Sequence, residues 1–466
     1  MSKILTRLLA LGIMLVMLLP ENSKASHLSA GDIYYTYTGT PNTFVITLRL
    51  YRDCSGITMP SSETVCYTSA SCNISQTITV NLIPGTGQQI PPSPCVPSAG
   101  PTTCQGGTAY GVQEYIYQAV LVMPAQCLDW KFQYETCCRN QAITTLVNTG
   151  SLGFYLEATM NNLTYPTNSS PRFNTIPVTQ FCINNQFYFD QGATDPDNDS
   201  ITYALINAQD ASGGCPYSPF DLPYVSPYSG VYPISSANGV TIDLFTGVVA
   251  FLPNLLQTGV IAVRCFEYDR QTGLLKTIGK REIQINIVAT CTVVTPSFDS
   301  TLTANGLSIV IDGINNVTCD DTTFYITVNP PVQCGSIVPS DIRFLDPNGI
   351  PNPVSSAVGV NCVNGLTDSI LVTVLNPIPV GTSYIFTKIG NDGNTFLSEC
   401  GSPMNEFDTL MINLYDSVPY QFSLTDTLDC TFDSIFIVSN QLIDCYTISQ
   451  DGSDFTLVDA NGVPIT

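Results

Sequence analysis

Three aspartates at alternate positions stand in the run Asp195-Pro196-Asp197-Asn198-Asp199-Ser200, which leads into the apolar stretch Ile201-Thr202-Tyr203-Ala204-Leu205. In extended chain, alternate residues share a face, so the run predicts three converging carboxylates. Ca2+ is a hard cation that takes six to eight oxygen ligands, and Glu267 and Asp269, on Arg264-Cys265-Phe266-Glu267-Tyr268-Asp269, are expected to complete the set. The run is not an EF-hand loop, because Ser200 stands where glycine is required and Ile206 where the terminal glutamate belongs. The plainer reading is a polar turn, since Asp, Asn and Pro are turn residues in their own right.

A second constellation is Cys137-Cys138-Arg139-Asn140, which places thiols beside a cation able to lower their pKa. Cysteine catalysis also needs a base, and the only histidine is His27. The expected role is therefore structural, as two bridges anchored at one point of a strand, with Cys127 and the lone Trp130 nearby. The lack of histidine equally disfavours a serine hydrolase, and no C-x-x-C pair provides a zinc site. A glycosidase-type carboxylate pair is invisible to sequence alone. The tyrosine-rich stretch 216–232 is expected to be a covered connection between strands. Asn-x-Ser/Thr sequons stand at Asn73, Asn162, Asn168, Asn198 and Asn316.

The elements that must carry these residues are strands. Period-two alternation runs through Thr43-Phe44-Val45-Ile46-Thr47-Leu48-Arg49-Leu50-Tyr51 and Glu282-Ile283-Gln284-Ile285-Asn286-Ile287. Turn signals such as Asp346-Pro347-Asn348-Gly349 divide the short apolar runs. The pattern predicts an all-β chain of tandem β-sandwich domains stapled by disulfides. Lys3 and Arg7 precede the apolar run Leu8 to Leu19, Pro20, and small residues at Ser23 and Ala25, the layout of a signal peptide over 1–25. All 18 cysteines lie beyond it, which fits an exported, disulfide-bonded chain. The net charge of −22 disfavours nucleic acid as a partner, and no other stretch is long and apolar enough to span a membrane.

Boundaries are expected near 172, 291 and 413. They define a Cys-rich β domain (26–172), a β-sandwich (173–291), an immunoglobulin-like repeat (292–413) and the start of a second repeat (414–466). The repeat shows in Cys319-Asp320-Asp321-Thr322-Thr323-Phe324 against Cys430-Thr431-Phe432-Asp433-Ser434-Ile435, with Cys334 and Cys445 following at equal spacing. Cys362 and Cys400 follow in the first copy only, and the second stops at Thr466. The expectation is the N-terminal part of a longer tandem array with neighbouring β domains, the alternative being a last repeat that pairs with something else. Cys127, Cys137, Cys138, Cys319, Cys334, Cys362, Cys400, Cys430 and Cys445 are candidates for disulfides, with connectivity open.

Several ordered motifs carry a resemblance. They are His27-Leu28-Ser29-Ala30-Gly31-Asp32-Ile33, Leu48-Arg49-Leu50-Tyr51-Arg52-Asp53-Cys54, Cys127-Leu128-Asp129-Trp130, Cys137-Cys138-Arg139-Asn140 and Arg281-Glu282-Ile283-Gln284. Residues 26–290 resemble the N-terminal region of large exported Bacteroidota surface proteins linked to gliding motility and type IX secretion. The second region also resembles cadherin-like bacterial domains, in which the aspartate loop is followed by an element like Ile242-Asp243-Leu244-Phe245-Thr246-Gly247. The resemblance implies Ca2+ binding and a secreted or cell-surface location. It implies an adhesin-like, non-enzymatic role in binding and display, with a surface polysaccharide or protein as partner. Two alternatives stay open: a surface-layer or filament subunit, and a carbohydrate-active enzyme with β-sandwich binding modules.

Overall fold

The computed structural model describes residues 27–414 apart from 93–94, 98–99, 178, 290, 293, 300–302, 305–306, 311–321 and 380, together with 422–424, 437–439 and 456. The signal-peptide segment, Cys319, Cys430, Cys445, Asn316 and most of the second repeat lie outside the described residues. Within them the protein is all-β, with many antiparallel sheets, four short 3-10 turns and no α-helix. No described helix is long and apolar enough to cross a membrane.

Alternation does what it predicts in Thr43–Asp53, where Phe44, Ile46, Leu48 and Leu50 are fully buried. They join Tyr35, Val65, Tyr117, Trp130, Phe132 and Leu156 in the first core. The opposite face of this strand is covered as well. Tyr51 is fully buried, and Arg49 pairs with Asp32 at 2.9 Å.

The largest sheet has twelve strands and runs across the boundary expected at 172. Its organising element is Leu275–Val288, which pairs along its length with Thr258–Tyr268. Leu275–Val288 also pairs with Leu28–Tyr37 through Ala30↔Ile283 to Asp32↔Arg281, and with Gly153–Met160 through Gly279↔Ala158. Residues 26–172 and 173–291 therefore share one sheet. This corrects the picture of two separate domains: an edge left open by the first is closed by a strand of the second, which satisfies its backbone groups.

A second core lies beneath this sheet, where Phe181 packs edge-on against Phe187, Phe189 and Phe251. Residues 292–414 hold two further sheets around a third core containing Phe324, Ile326, Phe344, Ile370 and Ile385.

Seven disulfides staple the described residues: Cys54–Cys104, Cys66–Cys215, Cys72–Cys127, Cys95–Cys400, Cys137–Cys138, Cys182–Cys291 and Cys334–Cys362. Cys137 and Cys138 are bonded to each other, so the expectation of two bridges anchored at that point is corrected. Cys95–Cys400 ties the first region to the third across 305 residues.

Candidate functional site

The aspartate run forms a turn between Ala193–Thr194 and Ser200–Ile206. Asp195 Oδ1 accepts from the backbone N–H groups of Asp197 and Asp199, each at 2.9 Å. Asn198 has φ +61°, a left-handed conformation that Asn tolerates better than most residues. This curl breaks the extended alternation on which three converging carboxylates depend. Asp195 and Asp199 meet Glu267, with one oxygen of each within 4.8 Å of the others. Asp197 turns away, and its Oδ2 accepts from Ser169 N–H at 2.6 Å.

Asp269 does not reach the cluster either. Its Oδ1 accepts from the N–H of Gln271 at 3.1 Å and from the N–H and hydroxyl of Thr272, both at 2.7 Å. The hydrogen bond from the Thr272 side chain leads in holding this carboxyl below its ordinary value. Asp243 does the same in its own turn, accepting from Phe245 at 2.9 Å and Thr246 at 2.7 Å. The shared pattern is Asp-x-x-Thr-Gly: Asp243 with Thr246 and Gly247, Asp269 with Thr272 and Gly273. Both glycines have positive φ, 75° and 69°. That motif, visible in the sequence, marks Asp269 as a turn cap.

Glu267 is fully buried, and no donor meets its carboxylate oxygens in good hydrogen-bond geometry, though the Asn168 amide and the Thr277 hydroxyl lie near enough to favour its charged form. Burial, then the neighbouring Asp195 charge, push it up to about 8. Burial also raises Asp195, whose Oδ2 has no hydrogen-bond partner. Lys276 supplies the positive charge. Its ammonium donates to Asp199, lies 3.7 Å from Glu267 Oε1 and sits 4.9 Å from the centre of the Tyr165 ring. Burial pulls Lys276 down, but Asp199 and Glu267 more than offset it. Lys276 escapes the motif search because it comes from the far side of the Asp269 turn. The donor set suits a hard divalent cation, which here competes with the ammonium for the same oxygens.

Arg139 does not activate a thiol. It is buried, pairs with Glu282, and donates to the carbonyls of Gly153 at 2.7 Å and Gln209 at 2.9 Å. Cys265 is the one free cysteine among the described residues, and burial pushes its thiol up to about 12. Within 216–232, Phe220, Val225 and Val231 are exposed, so this stretch is a partly open surface and not a covered connection. Among the sequons, Asn162 and Asn168 are buried, while Asn73 and Asn198 are exposed.

A cleft of about 440 Å³ opens where the first two regions meet the third. Ile90, Tyr110, Phe181, Phe187 and Tyr188 give it apolar and aromatic walls, and Asp190 and Glu399 add carboxyl groups that burial raises. Its size falls within the range of small-ligand sites. It escapes sequence reasoning because its walls come from segments more than 250 residues apart. No family model matches the chain, and neither does any curated protein.

Proposed function

We propose that this protein is an extracellular binding and display protein, stiffened by disulfides, whose ligand enters the cleft between the first two regions and the third. The observation that carries the reading is Cys95–Cys400, which joins two segments bordering the cleft across 305 residues. Such bonds persist in oxidising compartments and are reduced in the cytosol. The apolar walls favour a ligand with an apolar or aromatic body, and Asp190 and Glu399 favour one that also carries a positive group. Ca2+ joins Asp195, Asp199 and Glu267 when it displaces Lys276, in line with the resemblance of residues 26–290 to exported Bacteroidota surface proteins. A binding role rather than a catalytic one is supported by the single histidine and by the buried, paired state of Arg139.

The test labels intact cells with a membrane-impermeant amine reagent and counts reactive thiols in the chain recovered under denaturing, non-reducing conditions. Surface labelling with the fourteen cysteines of the described bridges blocked is expected. A chain shielded from the reagent, with its thiols freely alkylated, would overturn the proposal.

A further inference from the structure

The loop Lys388-Ile389-Gly390-Asn391-Asp392-Gly393-Asn394 folds back against the 3-10 turn Pro339–Asp341. Asp341 is fully buried. Its Oδ2 accepts from Val338 N–H at 3.1 Å, but its Oδ1 has no hydrogen-bond partner. That free oxygen points at the bare Cα of Gly390. A β-carbon placed on Gly390 would meet Asp341 Oδ1 first, then Ser340 Oγ at 2.8 Å and Asp392 Oδ1 at 3.0 Å. Three oxygens, two of them from carboxyl groups, thus crowd together around Gly390, where a side chain would push them apart.

Asn394 brings an amide group to the same loop. Its Nδ2 donates to Tyr188 Oη at 3.1 Å, while its buried Oδ1 has no partner. Lys388 lies close enough for its charge to act on Asp341, yet it forms no salt bridge among the described residues. This cluster differs from the one at Glu267, where Lys276 supplies the counter-charge.

We infer that Ser340, Asp341, Asp392 and Asn394 form a second divalent-cation site, of the oxygen-only kind that takes Ca2+. Carboxylate, hydroxyl and amide oxygens are the ligands a hard cation prefers, and an open loop leaves room for water to complete the shell. The site also has a structural address. Asn394 meets Tyr188 of Phe187–Phe189, Tyr188 N–H donates to Gln333 Oε1 at 2.8 Å, and Asn185 donates to the Cys400 carbonyl at 2.8 Å. A cation here fastens the third region to the body beside the cleft.

The experiment is equilibrium dialysis of Ca2+ against the full oxidised chain, comparing the parent with Asp392→Asn, Gly390→Ala and Asp199→Asn. Asp392 is exposed, so its replacement leaves the fold intact, which near-UV circular dichroism verifies. Extracellular modules bind Ca2+ with Kd on the order of 0.1–1 mM. At about 1 mM free ion, Asp392→Asn and Gly390→Ala are each expected to bind one Ca2+ fewer than the parent. Asp199→Asn is expected to keep this ion, whatever happens at the Glu267 cluster. Unchanged stoichiometry and affinity in both loop variants would overturn the inference, and would leave the reading of the Glu267 cluster standing or falling on Asp199→Asn alone.

Discussion

Asn162 shows how much one buried amide can hold. Its Oδ1 accepts from Cys127 N–H at 2.8 Å and Trp130 Nε1–H at 3.0 Å, and its Nδ2 donates to the Ala125 carbonyl at 3.1 Å. Asn162→Ala leaves two buried donors and an acceptor without partners, and is expected to cost about 2–4 kcal/mol in denaturant-unfolding stability. The sequon that contains it says nothing of this, because a glycosylation pattern encodes no burial.

Lys280 gives a pH signature. It is buried, donates to the Tyr155 carbonyl at 2.7 Å and lies 3.7 Å from Glu282, yet burial pulls it down to about 8. The fold thus holds this proton less tightly than the unfolded chain does. Its contribution to stability is present above the unfolded value near 10.5 and is lost as pH falls through about 8. Lys280→Met keeps the Arg139–Glu282 pair and removes this dependence. Between pH 8 and 10 the parent is expected to gain about 2–3 kcal/mol relative to the variant, measured by urea unfolding at both ends. In sequence, Lys280-Arg281-Glu282 resembles a solvated charged run. Their partners Arg139, Asp32, Thr175 and Gln191 come from distant segments, so local pattern could not reveal the burial.

At the scale of elements, the alternating strands were legible and their closure was not. Phe44, Ile46, Leu48 and Leu50 face the core as their spacing predicts, because period two follows from strand geometry alone. The joining of Leu275–Val288 to both Leu28–Tyr37 and Gly153–Met160 depends on register between remote segments, and no single window contains it. The aspartate loop was half legible. Acidic residue types located the cluster, but side-chain hydrogen bonds to nearby backbone decided which carboxylates joined it. Asp269→Ala is therefore expected to lower the thermal midpoint by loosening its turn while leaving the Ca2+ response unchanged. Asp199→Asn is expected to weaken that response. Thermal scans with and without Ca2+ distinguish the two, since a ligand that binds only the folded state raises its stability.

For the whole molecule, the third region is held to the body, beyond the chain itself, by one disulfide and several hydrogen bonds among the described residues. The paired variant Cys95→Ser with Cys400→Ser is expected to lose about 3–5 kcal/mol, the scale for opening a long loop. Limited proteolysis should then cut first between residues 291 and 297. The same bond sets how the protein answers mechanical tension. If the chain is pulled from positions outside 95 and 400, force passes from one segment to the other through two sulfur atoms and bypasses everything enclosed. The enclosed residues represent roughly 1,000 Å of contour at about 3.3–3.6 Å each, none of which is released while the bond is intact. Under load the protein behaves as a short tether, and the cleft walls between residues 95 and 400 stay out of the line of force, which touches the cleft only along Ile90, Pro91 and Pro92.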